Sequence, residues 1–289
     1  MPSFQAHPER SIRRIGIIVG AIALGYLLLC VLLWRFQTRL MFFPSPHLDA
    51  TPAEVGLTYT DVWLPSGGGT VHGWWIPPEA GRTNAPVVLY LHGNGSNLGD
   101  LVNRAQRFHQ WGYGSFLIDY RGYGRSSGPF PNEQRVYEDA EAAWQYVTQQ
   151  RQMPAQNIVL HGRSLGGAIA LYLASRHPEV MGVIVESSFT SMKAMVTDQF
   201  WFLWVPVDRL LHQIFDSLSI VRSLPVPLLF IHGTADRVVP PVMSQTLYDA
   251  ARAPKFLLWV EGAGHTNVPQ KGGVRYAEAI IRFVERYAN

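Results

Sequence analysis

Hydrophobic and polar positions divide the chain into two regimes. Residues 15–34 contain no charged side chain, whereas from Leu57 onward short apolar runs alternate with longer mixed stretches. The uninterrupted run predicts a transmembrane helix over 15–34. Its 20 residues, at about 1.5 Å rise each, span roughly 30 Å, the thickness of a bilayer's hydrocarbon core. A helix is the solution there because it satisfies its own backbone hydrogen bonds. Arg10, Arg13 and Arg14 precede the run, and Trp34, Arg35 and Arg39 follow it, which suits two membrane interfaces and favours a cytoplasmic N-terminus. The run is too long for the apolar part of a cleaved signal, and no A-x-A-like site follows. Residues 1–14 read as a tail. Residues 35–53 read as a juxtamembrane connector, with Met41, Phe42 and Phe43 expected at the membrane surface and Pro44, Pro46 and Pro52 breaking any helix. Gly16 and Gly20 form a G-x-x-x-G pair. Such a pair can pack a helix dimer or be ordinary membrane-helix glycine, so the oligomeric state stays open.

Residues 54–289 read as one catalytic-size domain. Stretches 57–64 and 71–76 predict paired strands around the turn Ser66-Gly67-Gly68-Gly69. Apolar runs follow at 87–91, 116–118, 158–160, 183–185, 228–231 and 256–260, and short runs bounded by turn residues suit strands buried on both faces. Helical patterns lie between them at 133–149, 165–176, 242–251 and 274–287. This alternation predicts an α/β fold, a mostly parallel central sheet with helices on both faces. Ligands in such sheets bind beyond the carboxyl ends of the strands.

Composition narrows the function. The net charge is +3 with no dense Lys/Arg run, so the basic stripe of a nucleic-acid binder is missing. Cys30 is the single cysteine, which excludes an intramolecular disulfide and zinc sites built on cysteine clusters. The histidines lack the H-E-x-x-H spacing of a helical zinc site. The glycine run at 67–69 precedes a strand and lacks a P-loop lysine. No cofactor or metal is expected.

The nucleophile-elbow pattern G-x-S-x-G occurs twice, around Ser126 and around Ser164. The second copy, Gly162-Arg163-Ser164-Leu165-Gly166, follows a strand and runs into a helix, the context the pattern requires. It places Ser164 at a helix N-terminus, where backbone N–H groups favour developing negative charge. The first copy is followed by Gly128, Pro129 and Pro131, so no helix starts there.

A serine hydroxyl needs a base, and in this architecture the chain order is Ser, acid, His. Of the four histidines after Ser164, His177 reads as a solvated helix end and His212 as a structural residue in an apolar helical stretch. His232 reads as a strand-end turn, one of three His-Gly pairs with His92-Gly93 and His161-Gly162. His265 stands in the loop Glu261-Gly262-Ala263-Gly264-His265 after a strand and is the expected base. Asp236, just after the run 228–231, is the expected acid, orienting the imidazole. An oxyanion hole takes one backbone donor from the residue after the nucleophile, Leu165, and one from the loop after an early strand, where Asn94 is the choice.

Taken together, His92-Gly93-Asn94-Gly95, Asp119-Tyr120-Arg121-Gly122-Tyr123-Gly124, Gly162-Arg163-Ser164-Leu165-Gly166-Gly167, His232-Gly233-x-x-Asp236-x-x-Val239-Pro240 and Gly264-His265 resemble the membrane-anchored α/β-hydrolases related to the Bem46-like and depalmitoylase groups. The resemblance covers about Leu57 to the C-terminus. It implies the α/β-hydrolase fold with a short cap, hydrolysis of acyl esters or thioesters, and a structural role for residues 122–128 that demotes Ser126. The chain departs from the depalmitoylase group in its N-terminus, where a hydrophobic span stands in place of a cysteine-rich lipidated segment.

Residues 187–224 are the expected lid. They carry Trp201, Phe202 and Trp204 among other apolar side chains, read either as an acyl pocket or as packing of a cap on the core. The expectation is a membrane-anchored serine hydrolase acting on an acyl ester or thioester. A peptidase on the same fold and a non-catalytic membrane-tethered binding protein are the alternatives.

Overall fold

The computed structural model describes residues 8–79, 85–200 and 204–288. Eight strands form one sheet: β1 (Thr60–Ser66), β2 (Gly69–Ile76), β3 (Val87–Leu91), β4 (Gly114–Asp119), β5 (Ile158–Arg163), β6 (Gly182–Glu186), β7 (Leu228–Gly233) and β8 (Lys255–Val260). Their order is β1-β2-β4-β3-β5-β6-β7-β8. The hairpin β1–β2 and the β2–β4 pair are antiparallel, and every pair from β4 to β8 is parallel.

The continuous apolar runs follow from burial on both faces. In β3 every residue is buried, with Val87, Leu89 and Leu91 facing one hydrophobic cluster and Val88 and Tyr90 the other. The first cluster packs under α3 (Glu133–Gln145), α4 (Leu165–Arg176), α7 (Ser217–Ser223) and α8 (Pro241–Ala250). The second packs under α2 (Val102–Gln110) and α9 (Val268–Tyr287). Helix α2 is not evident in the apolar pattern. It buries only Val102, Ala105 and Phe108 among polar neighbours, a stripe too narrow to stand out. Helix α3 gives way to a π-helical turn at Tyr146–Gln150, and α9 begins six residues before its expected start, with Gly273 at φ 49° interrupting it.

The N-terminal helix α1 (Pro8–Met41) carries an apolar stretch, Ile12–Met41, long enough to cross a membrane. It continues seven residues past the expected end of the span, because the first proline after the span is Pro44. The connector is not a loose tether. Ser45 O accepts from Gly124 N at 2.8 Å, and Asn97 Nδ2 donates to His47 O at 2.6 Å. Phe42, expected at the membrane surface, is instead 2% exposed and packs on Phe215; only Phe43 of that pair is exposed.

Between β6 and β7 the expected lid folds as α5 (Met192–Phe200), α6 (Val207–Leu210) and α7. His212 lies in an irregular stretch between α6 and α7 rather than in a helix. Gln37 of α1 holds this cap. Its Oε1 accepts from His212 N at 3.0 Å and Gln213 N at 3.3 Å, and its Nε2 donates to Leu210 O at 3.0 Å.

Candidate active site

Ser164 is the single residue between β5 and α4. Its φ of 53° and ψ of −118° lie where non-glycine residues are rarely held, a cost that the surroundings must impose. The glycines on either side impose it by contact. A Cβ on Gly162 would meet Gly166 O at 2.0 Å, and one on Gly166 would meet Leu91 O at 2.0 Å. The turn is pinned by Ser164 N donating to Glu186 O at 2.8 Å, and by Ser188 Oγ and Gly167 N donating to Ser164 O at 2.8 and 2.9 Å.

His265 Nε2 stands 3.1 Å from Ser164 Oγ, and His265 Nδ1 stands 2.7 Å from Asp236 Oδ2. Facing a carboxylate, Nδ1 carries the hydrogen, which leaves Nε2 in the neutral ring to accept from the serine hydroxyl. Asp236 follows β7, and its Oδ1 accepts from Val238 N at 2.8 Å and Val239 N at 2.9 Å. Burial by itself would raise its carboxyl. Hydrogen bonds from His232, His265 and Val239 overcome that and hold it well below the usual carboxylate range.

His232 is the site residue that sequence reading missed. Its Nε2 faces Val239 O at 3.0 Å and Asp236 Oδ2 at 3.2 Å, while Nδ1 lies 2.6 Å from Ser244 Oγ. Nε2, between two acceptors, carries a hydrogen, and Nδ1 faces the Ser244 hydroxyl. The signal was present in the three His-Gly pairs. Each of these histidines is fully buried at the end of its strand and faces a carboxylate: His92 lies 3.5 Å from Asp119, His161 3.0 Å from Glu186, and His232 faces Asp236. Each is a buried partner to a carboxyl group as well as a turn residue.

Leu165 opens α4, and the first N–H groups of a helix have no intrahelical partner. Asn94 sits in the loop after β3, beside Gly93, where an added Cβ would come 3.3 Å from Ser164 Cβ. Its side chain is committed elsewhere: Oδ1 accepts from Phe43 N and Tyr123 Oη, both at 2.8 Å, and Nδ2 donates to Met41 O at 2.5 Å.

The rival serine is part of the scaffold. Ser126 Oγ donates to Asp119 O at 2.6 Å and accepts from His72 N at 2.8 Å. His177 pairs with Glu141 and stacks on Trp144 at the end of α4, and His212 packs on Trp34. Of the expected pocket aromatics, Trp201 and Phe202 lie outside the described residues. Trp204 is not brought to Ser164. It is 87% exposed, and its carbonyl accepts from Tyr26 Oη of α1 at 2.9 Å; the cap turns this side chain outward beside an apolar helix rather than inward. Among the described residues no group of three or more His, Cys, Asp or Glu side chains is placed to hold a metal.

The chain belongs to the α/β-hydrolases. Residues 82–225 match the family described as serine aminopeptidase, S33, a span that holds Ser164 and stops short of Asp236 and His265. The chain is 30% identical to the α/β-hydrolase domain-containing protein WAV2 of Arabidopsis thaliana, over 94% of this chain and 92% of that one. It is 28% identical to the protein bem46 of Schizosaccharomyces pombe, over 83% of this chain and 81% of that one. Among solved structures, the Pyrococcus furiosus esterase Pf2001 superposes with a TM-score of 0.72 at 20% identity, over 86% of this chain and 98% of that one; at that identity the likeness is one of fold.

Proposed function

We propose that this protein is a membrane-anchored serine hydrolase that cleaves carboxylic ester or thioester bonds through an acyl-enzyme. The observation that carries the reading is the unbroken line from Ser164 Oγ to His265 Nε2 at 3.1 Å and from His265 Nδ1 to Asp236 Oδ2 at 2.7 Å. Ser164 Oγ attacks the acyl carbonyl as Nε2 takes its proton, and Asp236 supports the imidazolium so formed. The oxyanion is held by the backbone N–H of Leu165 and that of Asn94. Asn94 is assigned through its backbone because its side chain is tied to Met41 and Phe43. Collapse of the tetrahedral intermediate passes the proton to the departing alcohol or thiol. Water, deprotonated by His265, then attacks the acyl-Ser164 ester, releasing the acid and restoring the serine. The anchor is residues 15–34, the apolar core of α1, exposed along most of its length.

An active-site-directed fluorophosphonate tests the assignment. It should label the wild type and fail to label Ser164→Ala; labelling that persists in the variant would sink it. A second reading, a peptidase, is favoured by the aminopeptidase description of the matching family. A matched ester and amide pair separates the two, with faster amide turnover deciding for the peptidase.

A further inference from the structure

The structure holds an apolar cavity that the catalytic line does not use. It has a volume of about 290 Å³ and lies between the last two turns of α1 and the cap, close to the lower limit of ligand pockets at roughly 300 Å³. Leu33, Leu40 and Met41 form the α1 wall, and Val196, Val207 and Leu210 lie on the cap wall. We propose that this cavity receives the acyl chain of an ester resident in the bilayer, so that the membrane helix builds one wall of the substrate site. The proposal rests on the hydrolase reading above and adds to it where the acyl group sits and from which phase it comes.

Three observations lead there. The first is depth. Leu33 belongs to the apolar span 15–34, while Met41 lies eight residues on, about 12 Å further along the helix at 1.5 Å per residue. The α1 wall of the cavity therefore starts at the end of that charge-free span and runs toward the catalytic domain.

The second is connection to the reacting atoms from both walls. On the α1 side, Met41 O accepts from Asn94 Nδ2, and the neighbouring Gly93 packs against Ser164. On the cap side, the chain leaves β6 through Ser188, whose Oγ donates to Ser164 O at 2.8 Å. Both walls are therefore tied through the chain to the residues around Ser164, and the proposal puts the acyl carbonyl at that end of the cavity.

The third is that the walls are held together. Gln37 is 6% exposed and faces the cap with both ends of its amide, toward Leu210 O, His212 N and Gln213 N. A buried amide satisfied across an interface in this way fixes the separation of the two walls. Apolar walls with one polar clamp suit a hydrocarbon chain and exclude a charged ligand.

The test uses the full-length protein in phosphatidylcholine vesicles, with p-nitrophenyl acetate and p-nitrophenyl dodecanoate as substrates. Val207→Trp and Leu210→Trp fill the cavity from the cap, and Leu40→Trp fills it from α1. In wild type the dodecanoate should be preferred. In each filled variant the ratio of kcat/KM for dodecanoate to that for acetate should fall by about tenfold or more, as expected when even one or two methylenes lose their site, with Ser164 still labelled by fluorophosphonate. A diazirine-bearing dodecanoate ester should crosslink to residues 33–41 or 205–211 of wild type. Turnover with an unchanged chain-length ratio in all three variants overturns the cavity while leaving the hydrolase standing. Crosslinking at those residues without turnover or fluorophosphonate labelling keeps the cavity and overturns the hydrolase. Faster turnover of dodecanoate dispersed in water than in vesicles overturns the bilayer route.

Discussion

His232 Nε2 stands 3.2 Å from Asp236 Oδ2, the oxygen that also faces His265 Nδ1 at 2.7 Å. The carboxylate is thus held from behind by one histidine while it orients the other. A hydrogen bond to a charged group contributes about 1.5–3 kcal/mol. His232→Phe should therefore lower kcat/KM for a short-chain ester by about tenfold or more. His232→Gln, whose amide can still donate, should recover part of the loss. Equal losses in the two variants would reduce His232 to a packing residue.

Asp236→Asn keeps the shape of the site and removes the charge opposite His265 Nδ1. It should cut kcat by about 10⁴, the scale seen when a triad carboxylate becomes an amide, with little change in KM. The variant also reports on stability. The Asp236 carboxyl lies below the usual carboxylate range in the folded chain, so its contribution is present above the unfolded value, about 3.9, and is lost as pH falls through the folded one. Acid denaturation of wild type should therefore steepen below about pH 4, and that part should be missing in Asp236→Asn.

Asp119 behaves in the opposite sense. Burial, with Asp100 adding to it against a hydrogen bond from Leu98 N, pushes its carboxyl up to about 8. The folded chain then keeps a proton that the unfolded chain releases above about 3.9. Stability is lost as pH rises between those values. Asp119→Asn, still able to accept from Leu98 N, should flatten the fall in unfolding temperature between about pH 5 and pH 8. A slope identical to wild type would show Asp119 to be ionised in the folded chain.

Arg104 reaches Glu186 through two hydrogen bonds of 2.9 and 3.0 Å, and Tyr276 Oη adds a third at 2.7 Å. This cluster lies behind the elbow, since Glu186 O accepts from Ser164 N. Removing one partner of a buried ion pair costs about 3–5 kcal/mol, so Arg104→Met should lower the unfolding temperature strongly. At temperatures where it remains folded, it should also label more slowly with fluorophosphonate. Labelling at the wild-type rate would separate the cluster from the geometry of Ser164.

Gly166→Ala tests the steric account of the elbow. Its new Cβ would meet Leu91 O at 2.0 Å, so β3 or the turn must move. Labelling of Ser164 should fall by about a hundredfold, in line with the cost of misplacing a reacting group by about an ångström.

Much of this was written locally in the chain. A strand buried on both faces must be apolar throughout, so the runs in β3 and β5 to β7 announced a parallel sheet before any contact was known. The elbow is largely local. Gly162, Ser164 and Gly166 stand between a strand and a helix that are both visible as patterns, although Leu91 O and Glu186 O, distant in sequence, close around the turn. The loop positions of Asp236 and His265 follow from the rule that such sheets present their chemistry beyond the carboxyl ends.

What the chain order could not supply was partnership across distance. His232 reads as a turn residue because its carboxylate partner is recognised only once β7, α8 and the loop after β7 are packed. Phe42 reads as a membrane-surface residue because Phe215, which covers it, is far away in sequence. Helix α2 escapes because its three buried side chains, although spaced three apart on one face, are few among polar ones, and the sheet beneath them fixes the helix. Gln37 is an ordinary polar residue in sequence and a buried clamp in the fold. Periodicity records which face of an element is buried; only the packed structure decides what buries it, because that depends on elements brought together by the whole chain.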